Sequence, residues 1–131
     1  MKPKRDILIV DDDVATTQFI IEALHDEGYA ARGVHNGLDA IAALDSARPD
    51  LVLIDLRMPG MSGEQLLDYF RTHGWQDVPV IIMTADSRAS RALSERGLDN
   101  CLLKPFTLDD LLDCVARHIG ANGNSSSSAA A

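Results

Sequence analysis

Residues 7–14 read ILIVDDDV, so that four consecutive apolar residues run directly into three adjacent aspartates. The apolar run is short, rich in β-branched residues and leucine, and does not alternate with polar residues. This pattern is typical of a strand that is buried on both faces. Carboxylates this close must either raise a pKa or hold a cation. The stretch therefore predicts a buried strand whose carboxyl end carries a charged site.

Similar runs recur at residues 29–34, 51–54, 78–83 and 101–103. Between and after these runs, apolar residues recur at helical spacing: Phe19, Ile20, Ala23 and Leu24; Ala40, Ile41 and Leu44; Leu66, Leu67 and Phe70; Leu111, Leu112, Val115 and Ile119. Residues 86–96 form the weakest predicted helix, with an apolar face of only Ala89, Ala92 and Leu93. Five strands alternating with five helices predict an α/β fold, a doubly wound parallel sheet with helices on both faces.

Helix-end signals agree with this pattern. Predicted helix starts are Ser62 with Gln65 and Thr107 with Asp110, and predicted C-terminal caps are Gly28 and Gly74. The 131 residues fit one domain, which we place at residues 1–120, followed by a flexible Ser/Ala-rich tail or linker at 121–131.

The net charge of -8 argues against direct binding to nucleic acid or to an anionic membrane surface. The basic N-terminus precedes only four apolar residues, which is too short for a signal peptide or a membrane span. The two cysteines lack CxxC spacing and form no disulfide framework. These features predict a cytoplasmic location.

Polar residues gather at the predicted strand ends, where ligands bind in open parallel sheets. They are Asp11, Asp12 and Asp13 after strand one, Asp55 after strand three, Thr84 and Ala85 after strand four, and Lys104 and Pro105 after strand five. Oxygen ligands without nearby His or Cys favour a hard cation, and Mg²⁺ suits a site with few carboxylates. We expect Asp13 to cap the first helix instead.

Asp55 opens the segment DLRMPGMSG, residues 55–63. Its proline and glycines predict a turn that lifts the chain away from the strand end and leaves Asp55 at the mouth of the site. The carbonyl of Arg57 could turn towards a metal there. An aspartate beside Mg²⁺ and a lysine is a good phosphoryl acceptor, and the hydroxyl of Thr84 could hydrogen-bond the transferred group.

Residues 6 to about 119 resemble a receiver domain of a bacterial two-component response regulator, of the chemotaxis type. The resemblance depends on four motifs that follow predicted strands in order: Asp11-Asp12, DxxMPxxxG at residues 55–63, Thr84-Ala85, and Lys104-Pro105-Phe106. Each motif alone is weak, but the ordered set is highly specific. The resemblance implies a flavodoxin-like five-stranded sheet of order 2-1-3-4-5.

The same resemblance implies the roles of the site residues. Asp55 would be phosphorylated, and Asp11 and Asp12 would hold Mg²⁺ with Asp55 and the backbone carbonyl of Arg57.

The phosphoryl group would be bound by the Thr84 hydroxyl and the Ala85 amide and neutralised by Lys104, whose bond to Pro105 would be cis. The chain would be a phosphoryl-accepting switch that assists its own phosphorylation and dephosphorylation. Its partners would be a sensor histidine kinase or histidine phosphotransfer protein and a downstream output domain or protein. Homodimerisation on phosphorylation is a further possibility.

Two departures from the family pattern affect the expected switching. Cys101 occupies the position, three residues before Lys104, where the family usually has an aromatic residue. We expect Cys101 to pack, and we expect output to depend on residues 85–91 and the helix that follows. Arg57 and Asp86 flank the site, and our hypothesis is that they meet across its mouth and restrict the attacking water.

Other charged residues are interpreted as surface groups. The basic set, Arg88, Arg91 and Arg96, and the acidic set, Asp109, Asp110 and Asp113, are expected to be solvated, with pairing within the domain or across a two-fold dimer as the alternative. The histidines, His25, His35, His73 and His118, are expected on the surface away from the strand-end cluster.

The main alternative function is a haloacid-dehalogenase-like phosphatase, with Asp11 as nucleophile and Asp13 as acid/base. This alternative leaves residues 55–63 and the Lys104-Pro105 pair unexplained. A receiver that signals without phosphorylation is a third possibility, which the complete set of acceptor-site residues disfavours.

Overall fold

The structure is a computed structural model that describes residues 4–75, 77–95 and 101–119. Within these residues the elements are β1 (Asp6–Val10), α1 (Val14–Asp26), β2 (Ala30–Val34), α2 (Gly37–Ser46), β3 (Leu51–Asp55), α3 (Gly63–Thr72), β4 (Val80–Thr84), α4 (Ser87–Glu95), β5 (Cys101–Leu103) and α5 (Leu108–Ile119). The strands form one parallel sheet of order β2-β1-β3-β4-β5. The predicted doubly wound α/β fold is confirmed.

The core lies on both faces of the sheet, which explains why the central strands do not alternate in polarity. In β1, Ile7 and Ile9 pack towards α1 and α5, whereas Leu8 and Val10 pack towards α2, α3 and α4. All four side chains are fully buried. Because successive side chains of a strand point to opposite faces, a strand covered on both sides must be apolar at every position.

The strand bounds shift slightly from those predicted. Asp55 and Thr84 are the last residues of β3 and β4, so the sheet itself fixes their backbones. β4 begins at Val80, two residues later than expected, because Val78 is in a turn and donates its N–H to the carbonyl of Trp75.

The predicted helix ends are present. Ser62 and Gln65 form a reciprocal capping box, Thr107 and Asp110 exchange the same pair of bonds, and Gly28 and Gly74 have positive φ after α1 and α3. The helix with the weakest sequence signal, predicted at residues 86–96, forms as α4 at Ser87–Glu95, with Leu93 as its buried residue.

Phe19 differs from its apolar neighbours in α1, because its side chain is 46% exposed. It lies just outside the stripe of Ile20, Ala23 and Leu24 and borders a surface groove that Phe106 also lines. The predicted tail at 121–131 and Arg96 lie outside the described residues. Across the described ranges, every helix is too short or too polar to cross a bilayer.

Candidate functional site

The carboxyl ends of β1 and β3 bring three carboxylates together. The two strands are neighbours in register, with Val10 opposite Ile54, so Asp11, Asp12 and Asp55 follow at the same edge. Each of these aspartates offers an oxygen within 4.8 Å of the others. Asp11 is fully buried, Asp55 is 7% exposed, and Asp12 faces solvent. The cluster therefore has a buried floor and one open side.

Lys104 reaches this cluster from the end of β5. Its Nζ donates to Oδ2 of Asp11 at 3.0 Å and to Oδ1 of Asp55 at 3.4 Å. Burial acts to lower the pKa of Lys104, but the hydrogen bond and charge of Asp11, together with those of Asp55, outweigh burial and raise that pKa. The ammonium therefore stays charged beside the two carboxylates.

One lysine does not compensate for the negative charge of the cluster. The pKa of Asp55 is raised from 3.8 to about 6, first by burial and then by the negative charge of Asp11, and Lys104 offsets only part of this rise. Within the described residues, no ion pair includes Asp12. The electrostatics thus favour an additional cation at the open side.

The donor set fits Mg²⁺. It consists of carboxylate oxygens without histidine or cysteine, and its exposed side leaves space for water ligands, which Mg²⁺ usually retains. The residues that would hold the ion are Asp11, Asp12 and Asp55.

Beside Asp55, a cleft of about 450 Å³ opens towards the end of β4. Thr84, Ala85 and Lys104 line it together with Asp55. Thr84 is held on both sides: its carbonyl accepts the N–H of Lys104 at 2.8 Å, and its Oγ1 accepts the N–H of Asp86 at 3.1 Å. Among the described residues, no hydrogen bond uses the hydroxyl proton of Thr84, which can point to a ligand in the cleft.

The segment after β3 keeps Asp55 accessible. Gly63 begins α3 directly beneath the strand end, where an added Cβ would lie 2.7 Å from the carbonyl oxygen of Asp55 and 2.8 Å from Cα of Leu56. Gly60 has a φ of +77°, and the buried Met58 anchors the loop. Glycine is thus required at the position where the loop returns to the sheet, and Asp55 still lines the neighbouring cleft.

Asp13 lies outside the carboxylate cluster. Its carboxylate caps α1, accepting the N–H of Ala15 at 3.1 Å and the hydroxyl of Thr16 at 2.9 Å. The Thr16 hydrogen bond is the main reason why the pKa of Asp13 is lowered. The predicted cap is confirmed, and the phosphatase alternative loses the acid/base group that it requires.

The expectation that all histidines lie away from the site is wrong for His35. This residue follows β2, the neighbour of β1, and its Nδ1 lies 2.9 Å from the backbone carbonyl of Asp11, to which it donates. His118 is half-buried and bonds the carbonyl of Cys114 at 2.7 Å, whereas His25 and His73 are exposed as expected.

Cys101 is half-buried at the start of β5 and packs against the apolar cluster on the α2–α4 side of the sheet.

The predicted contact across the mouth is present, since a guanidinium nitrogen of Arg57 lies 3.1 Å from Oδ2 of Asp86. Among the described residues, no ion pair joins Arg88 or Arg91 to the acids of α5. The Lys104–Pro105 bond is cis.

Comparison with known proteins gives consistent matches. Residues 7–116 match the family described as the response regulator receiver domain. Response regulator MprA of Mycobacterium avium is 34% identical over 108 residues, which are 81% of this chain and 47% of the relative. This chain thus spans about half the length of the curated relatives it matches.

Two solved structures are similar along nearly their whole length. A putative response regulator from Chloroflexus aurantiacus has a TM-score of 0.82 and 30% identity, covering 91% of this chain and 99% of that one. The receiver domain of sensor histidine kinase PA1611 from Pseudomonas aeruginosa, with a magnesium ion coordinated in its active site cleft, has a TM-score of 0.80 and 28% identity, covering 90% and 99%.

Proposed function

Because this chain belongs to the response regulator receiver domain family of two-component systems, we propose that it is a signalling switch controlled by phosphorylation of Asp55. The observation that carries the proposal is the setting of this carboxylate. Asp55 ends a buried strand, contacts Lys104 and the acid pair, and opens into a cleft lined by Thr84. The family resemblance inferred from the sequence motifs is confirmed.

The proposed donor is a phosphohistidine on a sensor kinase or phosphotransfer protein. A carboxylate oxygen of Asp55 attacks phosphorus, the phosphorus–nitrogen bond breaks, and the donor imidazole leaves with the electron pair and takes a proton from solvent. Phosphorylation is reversed by hydrolysis. Water attacks phosphorus, which releases phosphate and restores the Asp55 carboxylate. The domain assists both steps by positioning the groups.

Each residue of the cleft has a distinct task in this proposal. Lys104 already spans Asp11 and Asp55, so its ammonium neutralises the incoming phosphoryl oxygens without a large movement. The hydroxyl of Thr84 donates a hydrogen bond to the phosphoryl group, and the amide of Ala85 donates a second one beside it. Because these donors are held at strand ends, they need little reorganisation.

The acid pair, Asp11 and Asp12, would hold Mg²⁺ together with Asp55 and the backbone carbonyl of Arg57. When bound, the ion supplies positive charge that offsets the charge of the transferring group. The same cation would favour the ionised, nucleophilic form of Asp55, whose pKa is raised to about 6 without it.

The proposed consequence of phosphorylation is a shift between two conformations that bind different partners. The downstream partner would be an output domain or a separate protein, and homodimerisation is one form this output could take. We further propose that residues 1–120 are the receiver, that 121–131 act as a tail or linker, and that the domain works in the cytoplasm without contacting nucleic acid directly.

Exposure to acetyl phosphate with Mg²⁺, followed by intact-mass measurement, tests the proposal. The wild type should gain one phosphoryl group, whereas Asp55→Asn and the wild type in excess chelator should gain none. The control Asp13→Asn retains the cluster and should be modified like the wild type. An unmodified wild type, or equal modification of Asp55→Asn, would overturn the assignment.

A further inference from the structure

Asp86 connects the phosphoryl cleft to the first turn of α4. Its Oδ2 pairs with Arg57, while its Oδ1 accepts the N–H of Arg88 at 2.9 Å and that of Ala89 at 3.4 Å. Its own backbone N–H donates to Oγ1 of Thr84. The two backbone donors are the main reason why the pKa of Asp86 is lowered. Asp86 therefore joins the cleft wall through its backbone N–H, and a loop arginine and a helix start through its carboxylate.

We propose that Arg57 is a phosphoryl-binding residue that Asp86 holds in reserve, and that phosphorylation transfers Arg57 from Asp86 to the phosphoryl group. Asp86, left without its cation, then moves away from the phosphoryl group and loosens its hydrogen bonds to the first turn of α4. This inference extends the proposed function and depends on phosphorylation of Asp55.

The position and freedom of Arg57 support the exchange. Arg57 follows Asp55 by two residues and lines the same cleft, and its side chain is 76% exposed, so it can turn without breaking core contacts. A phosphoryl group carries about twice the negative charge of a carboxylate and offers three acceptor oxygens. A guanidinium can bind it bidentately, so the new partner competes well with Asp86.

When the guanidinium of Arg57 moves to the phosphoryl group, the electrostatics around Asp86 change. In the unphosphorylated protein the guanidinium lies against the carboxylate, whereas after the exchange the carboxylate faces an anion across the cleft. Like charges at close range repel, and this repulsion acts on the residue that caps α4.

The helix that Asp86 caps, α4, has few buried side chains. Among the described residues of α4, only Leu93 is buried, whereas α5 buries Leu111, Cys114, Val115 and Ile119. An element with few buried apolar contacts shifts at low cost. The exchange also needs no aromatic ring at Cys101, which is small and already packs against the core.

Amide hydrogen exchange at Arg88 and Ala89 measures this movement, because both amides bond Asp86 Oδ1. Beryllium fluoride with Mg²⁺ serves as the phosphoryl mimic. In the wild type, exchange of the two amides should accelerate by about three- to tenfold when the mimic binds. In Asp86→Asn, which caps a helix equally well but has no charge, the acceleration should stay below about twofold.

Asp86→Ser provides a second neutral cap, so that poor capping by one variant does not leave the result open. The role of Arg57 is tested by calorimetric titration with the mimic. Arg57→Gln should bind about tenfold more weakly, and Arg57→Lys, which keeps the charge but loses the bidentate geometry, should recover part of that loss. A purely structural arginine would give no such graded recovery.

The outcomes separate this inference from the proposed function. Failure of acetyl phosphate to modify Asp55 would reject the function itself. If Asp55 is modified but both neutral variants of Asp86 show the wild-type acceleration, or Arg57→Gln binds the mimic as tightly as the wild type, the exchange of Arg57 is wrong while the switch function stands.

Discussion

Replacing Asp55 by asparagine should stabilise the metal-free protein at neutral pH. In the folded state Asp55 is buried beside the charged Asp11, and its pKa rises from 3.8 to about 6. Folding therefore favours the neutral form of this side chain, and at pH 7 the ionised form is a cost to the folded state. Asparagine has nearly the same shape, can still accept from Lys104, and carries no charge.

The magnitude follows from the two pKa values. A rise from 3.8 to about 6 corresponds to about 3 kcal/mol at about 1.36 kcal/mol per pKa unit. Because the cluster opens to solvent on one side, screening reduces the expected gain to about 1–3 kcal/mol. This is a large share of the stability of a small domain, which is typically about 5–15 kcal/mol.

The pH dependence has a defined sign. Below pH 3.8 the carboxyl is protonated in both states, and the wild type and Asp55→Asn should be equally stable. Between 3.8 and about 6 the folded state binds more protons than the unfolded state, so the contribution of Asp55 becomes less favourable as pH rises. Above about 6 the difference is constant.

Urea unfolding in the presence of a chelator, across this pH range, measures the difference between the two proteins. Asp45→Asn is the matched control, since Asp45 is an exposed residue of α2 and the substitution changes the net charge equally. The control should stay within about 0.5 kcal/mol of the wild type. Equal stability of Asp55→Asn and the wild type at neutral pH would refute the argument.

Magnesium should reduce the stability advantage of Asp55→Asn over the wild type. At a concentration about 100 times its Kd, a ligand that binds only the folded state adds about 2.7 kcal/mol. The wild type should gain this stability, whereas Asp55→Asn, which lacks one carboxylate of the cluster, should gain less. A similar gain in both proteins would mean that Asp55 is not a ligand of the ion.

Three further results are expected. Gly63→Ala should lose about 1–3 kcal/mol in urea unfolding, because its Cβ would lie 2.7 Å from the carbonyl oxygen of Asp55; an unchanged midpoint would contradict this. Lys104→Met should lose about 2–4 kcal/mol in chelator at pH 7, since it leaves Asp11 and Asp55 without their cation, and the loss should shrink when Mg²⁺ is added. Arg57→Ala should lose its phosphoryl group about two- to tenfold faster, measured by intact mass over time, if Arg57 restricts or stabilises the site as proposed; an unchanged rate would reject that role.

The convergence of the acid cluster and Lys104 was predictable because it follows from a rule of topology. In a parallel sheet all carboxyl ends lie on one edge, so residues that are far apart along the chain meet there once the strand order is known. The separation of Asp13 from its two neighbours was also predictable, since its position before an apolar helix matches a helix cap.

Other features carry no readable signal in the sequence. The contact of His35 is made to the backbone carbonyl of Asp11, and a backbone partner has no residue type that could reveal it. Exposure of Phe19 depends on a rotation of α1 that its helical spacing does not define, because Phe19 borders the apolar stripe. Residue patterns specify which groups share an edge or a face more reliably than which atoms touch.

The weakest helix in the sequence is also the element best placed to respond to the site. α4 has one buried anchor, Leu93, and its first turn depends on Asp86, whose other oxygen is paired at the mouth of the cleft. Stronger apolar anchoring would make α4 easier to predict, but it would also raise the cost of moving it. A helix with one buried side chain and a first turn bonded to a charged site can instead change position when that charge changes. The poor helical signal of residues 86–96 is therefore what a responsive element at this position requires, and α4 is where a phosphoryl group on Asp55 would have its first structural effect.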